Sequence, residues 1–186
     1  HDDLKKWESA LHFGSSPNHF NLLHEATNLC FGGGLDDVWV NPEDGILYIV
    51  DYKSTANLSA DPKPVSLEGQ WKAAYKRQMD MYQFIMRGKG YKVSNTGYFV
   101  YVDGQHVGIN GMIDKIETGE AWMLFNTSLL EYEGDDSWVE LALFEIKELL
   151  GSSDCPEHSE ACEHGLFIRE VEEVSLSRAQ STIPMD

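Results

Sequence analysis

Hydrophobic and polar positions follow two rhythms along the chain. Leu4, Trp7 and Leu11 fall three to four residues apart, which predicts a short amphipathic helix over residues 2–12. Gly14-Ser15-Ser16-Pro17-Asn18 breaks it, and residues 19–27 read as one or two further helical turns. From Leu29 the rhythm changes. Residues 29–40 carry apolar side chains and three glycines and read as extended. Asn41-Pro42-Glu43-Asp44-Gly45 is a strong turn signal. Ile46 to Val50 then runs apolar without alternation, as a strand buried on both faces does. Together these stretches predict a β-hairpin whose second strand ends at Asp51.

Residues 56–66, with Pro62 and Pro64, read as a loop. The clearest helix spans 67–87, where Trp71, Tyr75, Gln78, Tyr82 and Ile85 share one stripe. Gly88 and Gly90 close it. Residues 97–102 predict another buried strand, turned by Asp103-Gly104. A strand near 121–131 follows, then a helix near 137–150 with Leu141, Phe144, Ile146 and Leu149 as its apolar positions, and a loose polar tail over 170–186. This order predicts an α/β fold, a mixed β-sheet flanked by helices.

A chain of 186 residues has room for one domain. Its expected parts are a core over about 24–102, a C-terminal helix and loop over 137–168, and the tail. With 42% hydrophobic and 24% charged residues, a disordered or fibrous chain is excluded. No apolar run approaches the roughly 20 residues that cross a bilayer, and the first residues are polar rather than signal-like. Three cysteines are too few for a disulfide scaffold, so a reducing cytoplasm is the expected setting. The net charge of −17 opposes long-range attraction to nucleic acid. Residues 53–92, however, hold eight basic and three acidic side chains. They form either a basic face on an acidic body or an ordinary solvated helix face.

The chemistry concentrates on the hairpin. Asp36 lies in the first strand, Asp51 ends the second, and Lys53 follows on the same face of an extended chain. Two carboxylates on neighbouring strands suit a hard divalent cation that prefers oxygen ligands and keeps several waters. Such a cation acidifies bound water. A nearby ammonium orients that water or stabilises the charge of a phosphoryl transition state. A lysine at a strand end is expected to contribute less than roughly 1 kcal/mol to stability.

Gly34-Leu35-Asp36, then Asp51-Tyr52-Lys53, then Gln78-Met79-Asp80-Met81-Tyr82 on the following helix, resembles the PD-(D/E)XK nuclease superfamily. The likeness is to its RecB-type branch, which includes the CRISPR-associated exonucleases, and it covers about residues 24–102. The resemblance implies a restriction-endonuclease-like core and a Mg- or Mn-dependent deoxyribonuclease, a cytoplasmic hydrolase of phosphodiester bonds. Its partners would be DNA and a possible protein of a repair, recombination or phage system, with no membrane. Asp36 and Asp51 would ligate the metal with the backbone carbonyl of Tyr52, and Lys53 would act on the attacking water. Gln78 and Tyr82, one helical turn apart, would support the site or touch the DNA backbone. Tyr82 also suits plain packing, since it lies on the apolar stripe. The family often carries an acidic residue or a histidine on the helix before the first strand, and Glu25 and His24 are the candidates. Asp37 should face away from the site.

Cys155, His158, Cys162 and His164 fall within ten residues, a set that suits structural zinc or an ordinary polar loop. RecB-type nucleases often bind an iron–sulfur cluster in this region, but that cluster usually takes four cysteines and this chain has three. Gly32-Gly33-Gly34 lacks dinucleotide-binding spacing, and Lys53-Ser54-Thr55 lacks the upstream glycines of a P-loop. A second reading of another class remains open: a catalytically silent acidic binding protein on the same fold, a DNA mimic or a module for a protein partner.

Overall fold

A computed structural model describes residues 11–12, 14, 19–57, 63–105, 113–115, 120–121, 124–154, 156–159 and 162–181. The helix expected over 2–12 lies almost wholly outside these residues. The chain divides into two compact units, His1–Lys147 and Glu148–Asp186.

The first unit is built on a four-stranded mixed sheet of β3 (Asp37–Val40), β4 (Leu47–Asn57), β5 (Thr96–Gln105) and β8 (Leu124–Glu133), in that spatial order. β3 and β4 form the expected antiparallel hairpin, with Asp37 opposite Val50 and Trp39 opposite Tyr48. Gly45, at φ 71°, supplies the left-handed residue of its turn. β4 and β5 run parallel, placing Asp51 beside Phe99, Lys53 beside Tyr101 and Thr55 beside Asp103. A parallel pair needs a long crossover, and α1 (Lys72–Gly88) provides it. β8 returns antiparallel on β5, with Leu130 opposite Phe99 and Asn126 opposite Asp103. Two smaller two-stranded sheets pair β1 (Asn21–His24) with β2 (Leu29–Gly32), and β6 (Ile113–Lys115) with β7 (Glu120–Ala121).

The core lies between α1 and one face of the large sheet. Met79, Tyr82, Ile85 and Met86 of the helix pack with Ile49, Phe99 and Tyr101 of the strands, joined by Phe20, Leu35 and Leu47. Helical spacing on one side and alternation on the other bring these side chains together. Two buried polar residues of α1 tie it to the rest. Gln83 donates to the carbonyl of Asn95 at 2.7 Å. The Asp80 carboxylate accepts from the Asp135 backbone N–H and the Trp138 indole, each at 3.1 Å. At the helix end Arg87 pairs with Asp136 and donates to Asn95 Oδ1 and the Ser94 carbonyl.

Several expectations need correction. Residues 19–27 are not helical: β1 and the turn that follows occupy them, because Leu22, Leu23 and His24 pair across the hairpin with Phe31, Cys30 and Leu29. β4 does not end at Asp51, and β5 does not turn at Asp103. Each strand supplies the other with hydrogen bonds through Asn57 and Gln105, so local turn chemistry yields to parallel pairing. α1 starts at Lys72, leaving Trp71 82% exposed and off the packed stripe. In α2 (Val139–Gly151) Val139 and Leu143 are buried, while Leu141, Phe144, Ile146 and Leu149 are exposed.

In the second unit, α3 (Glu163–Ser181) replaces the expected loose tail. Glu, Leu, Arg, Ala and Gln are good helix formers, and no proline interrupts them. Phe167, Val171 and Val174 lie exposed at spacings of four and three. No helix among the described residues is long and apolar enough to cross a membrane.

Candidate active site

β4 carries Asp51 and Lys53 into the core face of the sheet. Alternation puts Ile49, Asp51 and Lys53 on the side that α1 covers, and Val50 and Tyr52 on the other. Asp51 is 3% exposed. Its Oδ2 lies 2.6 Å from Lys53 Nζ, an ion pair outside the angles of a directed hydrogen bond. Burial raises the Asp51 pKa above the usual carboxylate value, and the charge of Asp36 adds to that effect. The Lys53 ammonium opposes both.

Lys53 is held from three sides. Asp51 faces it, Gln78 Oε1 accepts from Nζ at 3.3 Å, and the Tyr75 ring lies 4.6 Å beneath. Gln78 is itself oriented, since its Nε2 donates to the Tyr82 hydroxyl at 2.7 Å. This pair sits one turn apart on α1, as the helical period requires. Tyr82 is buried, packs edge-on to Phe20 and lies against Gly33. A Cβ at Gly33 would come within 2.9 Å of the Tyr82 ring, so the connection from β2 to β3 passes this close only as glycine. Tyr82 thus packs in the core and also orients the Gln78 amide.

Asp36 precedes β3 and is exposed. The β3–β4 ladder stops at the pair Asp37 and Val50, and Asp36 Oδ2 takes over by accepting from the Tyr52 backbone N–H at 2.8 Å. In an extended strand one residue's N–H and C=O point to the same edge. The Tyr52 carbonyl is therefore directed to the edge where Asp36 stands. Asp37 faces the other side, as expected, and accepts from the Tyr52 hydroxyl at 2.8 Å. That bond raises the Tyr52 pKa.

The structure thus brings together Asp36, Asp51, the Tyr52 backbone, Lys53, Gln78 and Tyr82. It does not gather Glu25 and His24 with them. Among the described residues no three His, Cys, Asp or Glu side chains stand close enough to hold a metal ion. His24 ends β1, where Nδ1 meets Thr27 Oγ1 at 2.8 Å and the ring packs edge-on to Phe144. Glu25 is exposed in the following turn. In the second unit Cys162 Sγ lies 3.6 Å from His158 Nδ1, His164 is exposed, and Cys155 lies outside the described residues.

One basic side chain beside the site escapes a motif search. Lys72 donates to the Tyr101 hydroxyl at 2.6 Å and stands 5.2 Å from the same Tyr75 ring that Lys53 covers. The only sequence signal for Lys72 is the basic balance of residues 53–92, which does not name its partner Tyr101. Arg87 and Lys89 of that stretch are spent on structure, Lys89 donating to the carbonyls of His19 and Asn21.

The donor set fits a hard divalent cation. Such an ion takes one or two carboxylates and fills its other positions with water. Asp36 and Asp51 with the Tyr52 carbonyl provide that pattern, and a buried carboxylate with a raised pKa gains from a second positive charge. No protein-family model matches the chain, and neither do curated proteins or solved structures.

Proposed function

We propose that this protein is a metal-dependent nuclease of the PD-(D/E)XK type, RecB-like in its motif order, which hydrolyses phosphodiester bonds in DNA. The observation that carries the reading is the line Asp51–Lys53–Gln78–Tyr82, in which each side chain fixes the next and the first is buried beside the exposed Asp36.

Asp36, Asp51 and the Tyr52 carbonyl would hold Mg²⁺ or Mn²⁺, which supplies charge neutralisation at the phosphate and a more acidic water. Lys53 orients the attacking water and stabilises the negative charge that builds on the phosphoryl oxygens. Gln78 holds the ammonium at its acceptor oxygen, and Tyr82 keeps the Gln78 amide from rotating. Lys72 and Lys76 occupy the first turns of α1, which has no acidic residue in its first turn and no side-chain cap. Lysines at the positive end of a helix suit a phosphate backbone better than they suit the helix itself.

The net charge of −17 favours the second reading, a silent acidic module for a protein partner. A fully assembled Asp51–Lys53–Gln78 arrangement favours the enzyme, since such a module has no use for it. The deciding experiment incubates the full chain with end-labelled single- and double-stranded DNA in Mn²⁺ or Mg²⁺. Cleavage that disappears with EDTA and in Asp51→Asn supports the nuclease. Intact DNA in every condition, with no divalent-dependent thermal shift, supports the binding module.

A further inference from the structure

Beyond the start of α1, the face of the sheet that holds the core becomes polar. Level with Tyr101 that face carries Ser128, and past it Thr55, Asn57, Asp103, Gln105 and Asn126, with Leu124 the one apolar position, by the register of the three strands. Two adjoining clefts of about 460 Å³ each open there, and Asp103, Lys63 and Val65 line both. They lie at the carboxyl end of the parallel pair β4–β5, where open α/β sheets characteristically bind ligands. Thr55 and Asp103 stand two residues beyond Lys53, a distance of about 7 Å along the strands. The links are continuous: Lys53 and Lys72 share the Tyr75 ring, and Lys72 lines the cleft with Asp103.

Asp103 is the unusual member. It is 6% exposed. Its Oδ2 accepts from Gln105 Nε2 at 2.7 Å, and its Oδ1 has no partner among the described residues. A buried acceptor without a donor is costly, so such a group in a cleft is a candidate for one supplied by a ligand. Lys63 and Lys72 put cationic donors in the same space, and Pro64 and Val65 add an apolar wall.

We propose that this cleft receives the base of a nucleotide next to the scissile phosphate, and that it favours a base with an exocyclic amine beside a ring-nitrogen acceptor, cytosine or adenine. The inference rests on the nuclease reading and deepens it. The amine donates to Asp103 Oδ1, and the ring nitrogen accepts from a lysine ammonium or the Ser66 hydroxyl. Thymine turns a carbonyl oxygen toward the carboxylate and is rejected. Asp103 then reads the base, while Lys53 and the metal carboxylates act on the phosphate.

The test measures binding of fluorescein-labelled (dC)6, (dA)6 and (dT)6 to the full chain in EDTA by anisotropy, alongside Mn²⁺-dependent cleavage of the same strands. Either amine-bearing strand should bind roughly ten- to a hundred-fold more tightly than (dT)6, the discrimination of one good base contact. The two strands separate a pyrimidine from a purine site. In Asp103→Asn, whose amide can donate, the advantage over (dT)6 should collapse or reverse. Equal affinity for all three strands, with cleavage intact, overturns the base reading and leaves the nuclease standing. Absence of both binding and cleavage removes both. The wild-type comparison requires no variant, so misfolding of Asp103→Asn would not blunt the test.

Discussion

Replacing Lys53 by alanine separates two expectations that diverge sharply. Seen as a strand-end lysine, the residue should matter little for stability. The structure puts it in the middle of an eleven-residue strand, with its side chain 18% exposed and its ammonium 2.6 Å from a carboxylate that is 5% exposed. Removing one partner of a buried pair costs about 3–5 kcal/mol, because the other charge is left without compensation. Partial solvent access and the option of protonating Asp51 reduce this to roughly 2–4 kcal/mol at neutral pH. For a domain of this size that corresponds to a fall in Tm on the order of 10 °C. The pH dependence has a defined sign. Asp51 already titrates above the ordinary 3.8 in the folded chain, and losing Lys53 raises it further. The deficit of Lys53→Ala is therefore full at pH above that raised value and fades as the solution is acidified through it, once Asp51 is neutral. Asp51→Asn made on top of Lys53→Ala should recover much of the loss, giving a coupling above about 1 kcal/mol in a double-mutant cycle. Urea unfolding at several pH values measures all of this in EDTA, and the cleavage assay should show at least about a 100-fold loss of rate. Zero coupling together with full activity would refute both the ion pair and its role.

Other outcomes follow from single contacts. Asp36→Asn and Asp51→Asn should each weaken Mn²⁺ binding in calorimetry, and Asp51→Asn alone should lower Tm in metal-free buffer, since it leaves the Lys53 ammonium without its partner. Asp80→Ala should cost roughly 3–5 kcal/mol by urea unfolding, because it strips the acceptor from the Trp138 indole and the Asp135 amide at once. The Tyr132 pKa is pushed up to about 12, first by burial and then by its hydrogen bond to Asp80. A tyrosine so raised stabilises the fold below its ordinary value of 10, and that contribution is lost between about pH 10 and 12, a loss that alkaline melts should show and Tyr132→Phe should abolish. Cys162→Ser should leave the first unit's melting and the cleavage rate unchanged, and elemental analysis of the parent chain will show about one zinc per chain only if Cys155 and His164 complete the pair that Cys162 makes with His158.

The parts of the fold legible in the sequence are those set by local chemistry. The hairpin turn at 41–45 and the stripe of Tyr75, Gln78, Tyr82 and Ile85 carry their own spacing, and both appear where periodicity puts them. Long-range pairing is not written locally. Asp51 and Asp103 read as strand ends because a charge or an Asp-Gly normally stops a strand, yet each sits inside a strand that its parallel neighbour prolongs. The same blindness affects Asp80, which by composition is one acid in a basic stretch and in space is the acceptor that anchors α1 to the segment after β8. The exposed Leu141, Phe144 and Ile146 of α2 show the converse, since helical periodicity tells which residues share a face but not whether anything covers it. The site motif survives these errors for a physical reason. Asp51 and Lys53 need only share a face of an extended chain, and Gln78 and Tyr82 only a face of a helix, so a mistaken strand end leaves their alignment intact. What spacing could not supply was Lys72, brought in by the crossover, and its partner Tyr101, placed beside Lys53 by the β4–β5 pairing, and the polar end of the sheet beyond them. There the buried carboxylate of Asp103 lies two residues past the lysine because β4 and β5 continue where each alone would stop.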